Sequence, residues 1–194
     1  MLLRLIRLDI PGSTGDKYSD VSETHWANGT IEMATGLGIC DGYGDGTFGP
    51  EDSVTYAQAV KMLMSVLGYS VIAENNGGYP NGYMQAATNE GIYVKGASDI
   101  NAPLTRAMTA ELLSKSLDVS LYLRDGKGNY TKSNNETVLT QYYKGDIDKG
   151  YVSASNDIST NGSRAGIGVV IIDGEEYRTG ITLAEKLVGY NVEY

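Results

Sequence analysis

A fifteen-residue pattern occurs twice in this chain, and that recurrence limits the fold more than any other feature. His25-Trp26-Ala27-Asn28-Gly29-Thr30-Ile31-Glu32-Met33-Ala34-Thr35-Gly36-Leu37-Gly38-Ile39 returns as Gly78-Tyr79-Pro80-Asn81-Gly82-Tyr83-Met84-Gln85-Ala86-Ala87-Thr88-Asn89-Glu90-Gly91-Ile92, at a constant shift of 53. Val54-Thr55-Tyr56-Ala57 returns as Leu104-Thr105-Arg106-Ala107 at a shift of 50, so the intervening loop is three residues shorter in the second copy. Register kept in two stretches and length lost between them mark packed helices and a solvent-facing loop. A unit that buries its apolar face only against a neighbour builds its binding surface with that neighbour.

Each copy reads helix, loop, helix. In the first, Ile31, Ala34, Leu37 and Gly38 recur at helical spacing, with Asp20, Ser22 and Thr24 as cap candidates and Gly38 as a helix end. Asp41-Gly42-Tyr43-Gly44-Asp45-Gly46-Thr47-Phe48-Gly49-Pro50 is too dense in turn residues for a helix. Thr55 then caps a second helix with the stripe Ala59, Val60, Leu63, Val66 and Leu67, closed by Gly68. The second copy repeats this with Met84, Ala87 and Ile92, then Thr105 and the stripe Ala110, Leu112, Leu113, Ser116 and Leu117. Residues 1–8 overlay residues 62–69 at a shift of 61 and keep the apolar positions. They are expected to be the last helix of a preceding repeat. Two arginines and the lack of a small-residue cleavage site set this stretch apart from a signal peptide.

These residues resemble the S-layer homology domain. The resemblance rests on Asp20-Val21, His25-Trp26-Ala27, Gly38-Ile39, Gly42-Tyr43-Gly44-Asp45-Gly46-Thr47-Phe48-Gly49-Pro50 and Thr55-Tyr56-Ala57-Gln58, in the family's order, and it covers residues 18–119. The second copy keeps Thr105-Arg106-Ala107 and loses the tryptophan and the aspartate-glycine loop. The resemblance implies a mainly α, pseudo-threefold bundle of helix-loop-helix repeats and non-covalent attachment to the wall of a Gram-positive cell. Its implied partner is the anionic, often pyruvylated, secondary cell-wall polysaccharide linked to peptidoglycan. By position it makes Arg106 the anion contact and places Thr105 beside it at a helix N-terminus, where free N–H groups and the dipole favour a carboxylate. Trp26 would line an adjacent groove, with Asp20, Tyr43, Asp45 and Gly46 supporting the loop. The first copy departs from the motif at Tyr56, where the family has arginine, and at Gln58, where it has glutamate; Met108 replaces that glutamate in the second.

A net charge of -9 argues against nucleic acid and against an anionic membrane surface, so binding to a polyanion must rest on local cations such as Arg106, Lys95 and Lys115. No stretch is long and apolar enough to span a membrane. One cysteine forms no internal disulfide, and Cys40 reads as a small core residue. Asp41, Tyr43, Asp45, Gly46 and Asp52 echo a calcium loop, but tyrosine at the third place supplies no carboxylate, and a second candidate starting at Asp125 has Lys127 there. No metal and no cofactor are expected. His25 with Asp20 or Glu23, or Glu111 with Asp118, lacks a convergent acid–base–nucleophile set, so no catalysis is expected. Trp26 reads first as a packing residue.

After residue 124 the pattern changes. Residues 124–129 and 133–136 read as turns, Thr137–Tyr143 as a short helix, and Gly150–Ala154, Ile167–Ile172, Glu175–Thr179 and Asn191–Tyr194 as strands. Asp173-Gly174 is a hairpin signal, Thr182–Leu187 a short capped helix, and the last strand is expected to lack a neighbour in a module cut short. The expected organisation is a repeat remnant (1–15), a first repeat (16–70), a second, degenerate repeat (71–123) and a small β-rich module (124–194), α+β overall. Two functions compete: a wall-anchoring module located outside the cell, in the wall or surface layer, and a structural segment that assembles with other copies of itself.

Overall fold

Thr55 starts the first of the two longest helices with a reciprocal cap. Its side chain accepts from the Gln58 N–H at 3.3 Å, and the Gln58 carbonyl oxygen accepts from the Thr55 N–H at 2.8 Å. The helix that follows, α3 (Tyr56–Val66), buries Tyr56, Ala57, Val60, Leu63 and Met64, a run of one- and three-residue steps that keeps one face inward. In the computed structural model, which describes residues 1–13, 15–145, 148–179 and 184–194, α3 is the centre of the first of two compact units, residues 1–145 and 146–194.

Around α3 lie α1 (Leu2–Leu5), α2 (Asn28–Gly36), α4 (Ser70–Asn75), α5 (Asn81–Asn89) and α6 (Arg106–Ser116). Tyr83, Ala86, Ala87 and Ile92 from the second copy close on Val60, Leu63, Met64 and Leu67 of the first, so the two copies share one apolar core. Leu3 packs with Ala34 and Ile39 in a smaller cluster. Segment 100–104 runs antiparallel to 54–57: the N–H groups of Tyr56 and Ala57 donate to Ala102 and Ile100, and the Leu104 N–H donates to Val54, at 2.8–3.0 Å. Four helix ends carry the same two-bond cap. Gly38, Gly68, Gly91 and Arg7, all at positive φ, reach back with their N–H, and the residue after each bonds the carbonyl five positions earlier. The end of α1 therefore repeats the end of α3 bond for bond, with Arg7 in the place of Gly68.

The first unit extends to residue 145, beyond the change of composition at 124. Strands β1 (Ser120–Arg124) and β2 (Tyr130–Thr137) form an antiparallel hairpin, followed by a π-helical turn, Leu139–Tyr143. Val119, Leu121 and Val138 enter the helical core. The same segment satisfies helix-end carbonyls: the Tyr122 N–H donates to Leu67 at 2.9 Å, the Leu139 N–H to Leu117 at 3.1 Å and the Tyr143 hydroxyl to Arg4 at 3.1 Å. It forms a floor under α1, α3 and α6.

The second unit is a four-stranded antiparallel sheet in the order β5 (Glu175–Arg178), β4 (Val169–Ile172), β3 (Lys149–Ala154), β6 (Asn191–Glu193). Asp173 and Gly174, at φ 48 and 93, make the two-residue turn between β4 and β5.

Several expectations change. Asp20, Ser22 and Thr24 do not cap α2, which begins after Ala27 without a side-chain cap; Asp20 turns to the loop instead. Residues 133–136 lie within strand β2, between the paired residues Lys132 and Thr137, where the register is irregular. The last strand has its neighbour, pairing with β3 through Lys149–Glu193, Gly150–Val192 and Tyr151–Asn191. Helix α4 was not anticipated, since its apolar residues are too few for a readable stripe. The cap expected at Thr182 lies outside the described residues, and Ala184–Leu187 forms a 3-10 turn. Cys40 is half-buried rather than central; burial first, then the Asp41 charge, pushes its thiol up to about 11.

Candidate functional site: the glycine loop, Tyr79 and the start of α6

Residues 41–54 are shaped by their own short side chains. The Asp20 carboxylate accepts from the Gly49 N–H at 2.7 Å and the Phe48 N–H at 2.9 Å, and these bonds, Gly49 first, hold it below the usual carboxylate range. Asp45 accepts from the Thr47 hydroxyl at 2.6 Å and the Thr47 N–H at 2.9 Å, and is lowered by the same partner. The Gly46 carbonyl accepts from the Ser19 N–H at 3.0 Å. Tyr43 donates to the Asp52 carboxylate at 2.6 Å, which raises the phenol above its ordinary pKa. That pair lies directly over Gly49, where φ is 73 and a Cβ would come within 2.3 Å of the Asp52 oxygen. The carboxylates that echo a calcium loop are thus engaged in turns and ion pairs; Asp41 is paired with Lys61.

The loop walls a groove of about 320 Å³. Its lining includes Tyr43, Phe48 and Asp52 of the loop segment, Gln58, Lys61 and Met62 of α3, and Tyr79 from the second copy. Tyr43 and Tyr79 are 59% and 48% exposed. Burial alone would lower the Lys61 pKa, but the hydrogen bond and charge of Asp41 outweigh it and hold the ammonium above its ordinary value. The side-chain oxygen of Gln58 is used in the cap of α3, which leaves its NH2 group to the groove.

Trp26 is 83% exposed, so the packing role expected for it is not what the fold provides. It lies beside His25, ring centroids 5.8 Å apart; His25 Nδ1 accepts from the Ala27 N–H at 3.2 Å and its Nε2 lies 3.6 Å from Glu51. The turn is closed by the histidine, and the indole is left in solvent.

The two threonine-led helix starts differ. In the first, Tyr56, at the motif-arginine position, is 2% exposed and accepts from the Val94 N–H at 3.0 Å. Segment 100–102 covers the first amides of α3. In the second, Thr105 and Arg106 are exposed. The Thr105 oxygen accepts from the Met108 N–H at 3.2 Å, while its own proton stays available. No ion pair reaches Arg106 among the described residues. Lys115 is engaged with Glu111 at 2.8 Å and lies 4.7 Å from the Tyr93 ring centroid, whereas Lys95 is exposed. Val54 on the groove wall accepts from the Leu104 N–H, one residue before Thr105, so groove and open helix start share a backbone bond.

The structure thus ties Asp20 to the loop that carries Tyr43, Asp45 and Gly46, links the segment just before Thr105 and Arg106 to the groove residue Val54 through one backbone bond, and leaves Trp26 on the turn before α2. Sequence reasoning missed Asp41, Asp52, Gln58, Lys61 and Tyr79 as groove residues. Tyr79 carried a signal, since it occupies the Trp26 position of the second copy.

Residues 17–60 match the S-layer homology domain family, and the chain carries that domain there. A surface layer protein of Brevibacillus choshinensis is 33% identical over 129 residues, covering 66% of this chain and 11% of that protein. A cell surface protein of Thermoanaerobacter kivui is 26% identical over 188 residues, 91% of this chain and 23% of its own length. A cellulosome-anchoring protein of Acetivibrio thermocellus is 28% identical over 116 residues, 52% of this chain and 26% of its own. The chain therefore spans from about a tenth to about a quarter of these relatives. Among the described residues no helix is long and apolar enough to cross a membrane.

Proposed function

We propose that this chain is a non-catalytic cell-surface anchoring module that binds anionic, pyruvylated secondary cell-wall polysaccharide non-covalently, its repeats forming part of a pseudo-threefold bundle. The observation that carries the reading is the open start of α6. Arg106 is exposed and unpaired among the described residues, Thr105 keeps a free hydroxyl proton, and the helix dipole points at the same spot. The equivalent cation of the first copy is replaced by buried Tyr56, so a carboxylate has one strong site here. Relatives named for surface layers and for anchoring support the same reading.

The test is co-sedimentation of the chain with cell-wall sacculi before and after removal of the polysaccharide. Binding to intact walls only is expected. Arg106→Ala removes a charge-assisted bond of about 1.5–3 kcal/mol, on the order of tenfold to a hundredfold in affinity. Equal binding to stripped walls, or an unchanged Arg106→Ala variant, would overturn the reading. One observation favours self-assembly instead: an apolar groove of about 350 Å³ bounded by Met1, Ile31, Ala34, Met62, Leu63 and Leu113. Light scattering that shows oligomers of defined size, together with an inert Arg106→Ala variant, would select that reading.

A further inference from the structure

We infer that the second unit joins copies of this chain head to tail, its arginine-flanked Ile167 tip docking on the acidic end of the same sheet in the next copy. The inference concerns residues 146–194 and goes beyond the anchoring reading, which rests on the first unit. Strand direction fixes the two ends. β3 runs away from Lys149 and β4 runs back to Ile172, so Asp148, Lys149, Asp173, Glu175 and Glu193 collect at one end of the sheet. All five are exposed. Among the described residues, four carboxylates stand there against the ammonium of Lys149, which pairs with Glu193 at 2.9 Å.

The opposite end is basic. Arg178 is paired with Val169 between β5 and β4, and the Thr179 N–H donates to Gly168 at 2.9 Å. The Ala165 N–H donates to Ser155, just past the end of β3, at 3.3 Å. These bonds set Arg164, Ile167 and Arg178 around one tip, all three exposed. Neither guanidinium has an ion pair among the described residues. Asp157 is the one carboxylate on the same loop, Glu176 lies midway along β5, and Glu185 and Lys186 cancel in the turn before β6.

Ile167 is 91% exposed between two glycines. One bare isoleucine carries no argument alone, but with unpaired guanidiniums on both sides it is an apolar centre with a charged rim, the anatomy of a docking face. At the acidic end, half-buried Tyr194 exchanges backbone bonds with Asp148 at 2.9 and 3.0 Å, which puts apolar surface beside the carboxylates. The two ends are thus complementary in charge, and a second copy supplies the partner for each. The sides of the sheet are poor alternatives, since three of the four residues of edge strand β5 are charged and edge strand β6 has three residues. Because the ends differ, each copy added leaves a fresh end exposed, so the contact extends into rows rather than closing as a pair.

The test is sedimentation equilibrium of the full chain in about 50 mM salt, with two variants. Arg164→Gln, Ile167→Ser and Arg178→Gln together block the basic end; Asp148→Asn with Glu175→Gln blocks the acidic end. The wild type is expected to form species that grow with concentration, and about 500 mM salt should weaken their association at least tenfold. Each blocked variant should associate at least tenfold more weakly than wild type. An equimolar mixture of the two should stop at one-to-one pairs, because only one intact end of each kind remains. A wild type that stays monomeric, oligomers of fixed size, or a mixture that grows as far as wild type overturns the proposal. A monomeric wild type whose basic-end variant loses sedimentation with walls gives that end to an anionic polymer, and overturns it equally. The readout needs no wall, so rows formed by a chain that does not sediment with walls reject the anchoring reading alone.

Discussion

Asp20 shows how much of the loop depends on single side chains. Its carboxylate gathers the Phe48 and Gly49 amides across nearly thirty residues of chain. Asp20→Ala is expected to speed hydrogen exchange at those two amides and to leave exchange within α3 unchanged. Because the folded pKa is depressed, the contribution is complete above the unfolded carboxylate pKa and is lost as pH falls through the lower folded value. The wild-type and Asp20→Ala exchange rates should therefore converge in acid, well below pH 4. Glycines divide in the same local way. Gly38, at φ 69, has open space around it, so Gly38→Ala should cost about 1 kcal/mol in backbone strain alone. Gly68, at φ 87, would place a Cβ 2.0 Å from the Tyr122 carbonyl, and Gly68→Ala should cost at least about 2 kcal/mol more by urea denaturation. The repeat revealed both helix ends. Which end is crowded depends on a hairpin more than fifty residues downstream, and no local pattern carries that.

At the scale of elements, the helix starts were the most readable feature. Thr55 and Thr105 both cap as expected, because a side-chain oxygen over free N–H groups is a strictly local arrangement. Gln58 completes a reciprocal box at the first, while Met108 cannot at the second. Thr55→Ala should thus cost about 1–2 kcal/mol in thermal or urea unfolding and Thr105→Ala nearer about 0.5–1 kcal/mol. The start of α2 was misread, since three good capping residues precede it and none is used: the chain turns through His25 and Ala27 instead. Polar residues 133–136 looked like turn and lie inside strand β2, at the irregular part of its pairing with β1 between Lys132 and Thr137, where the Ser133 hydroxyl oxygen still accepts from the Asn135 and Glu136 N–H groups as a turn residue would.

For the molecule as a whole, the hairpin and π-helical turn belong to the helical unit energetically. Leu121 is almost fully buried in the core shared by both copies. Leu121→Ala should destabilise the first unit by about 2–5 kcal/mol, and hydrogen exchange should show protection falling in α3 and α5 together with β1. Loss confined to the hairpin would mean that the floor is an attachment rather than part of the cooperative unit.

The sequence alone determined the repeats, the register of their helices, the glycine helix ends and the threonine-led starts, because each depends on neighbours within a few residues. It also supplied Arg106 and the glycine loop as candidates. Only the tertiary structure decided that Tyr56 points into the core while Arg106 stays in solvent, that Trp26 is bare, and that Tyr79 of one copy and Tyr43 of the other line the same groove. Those outcomes rest on contacts between residues tens of positions apart, where burial and charge are set by which segments meet rather than by the order of residues within either one.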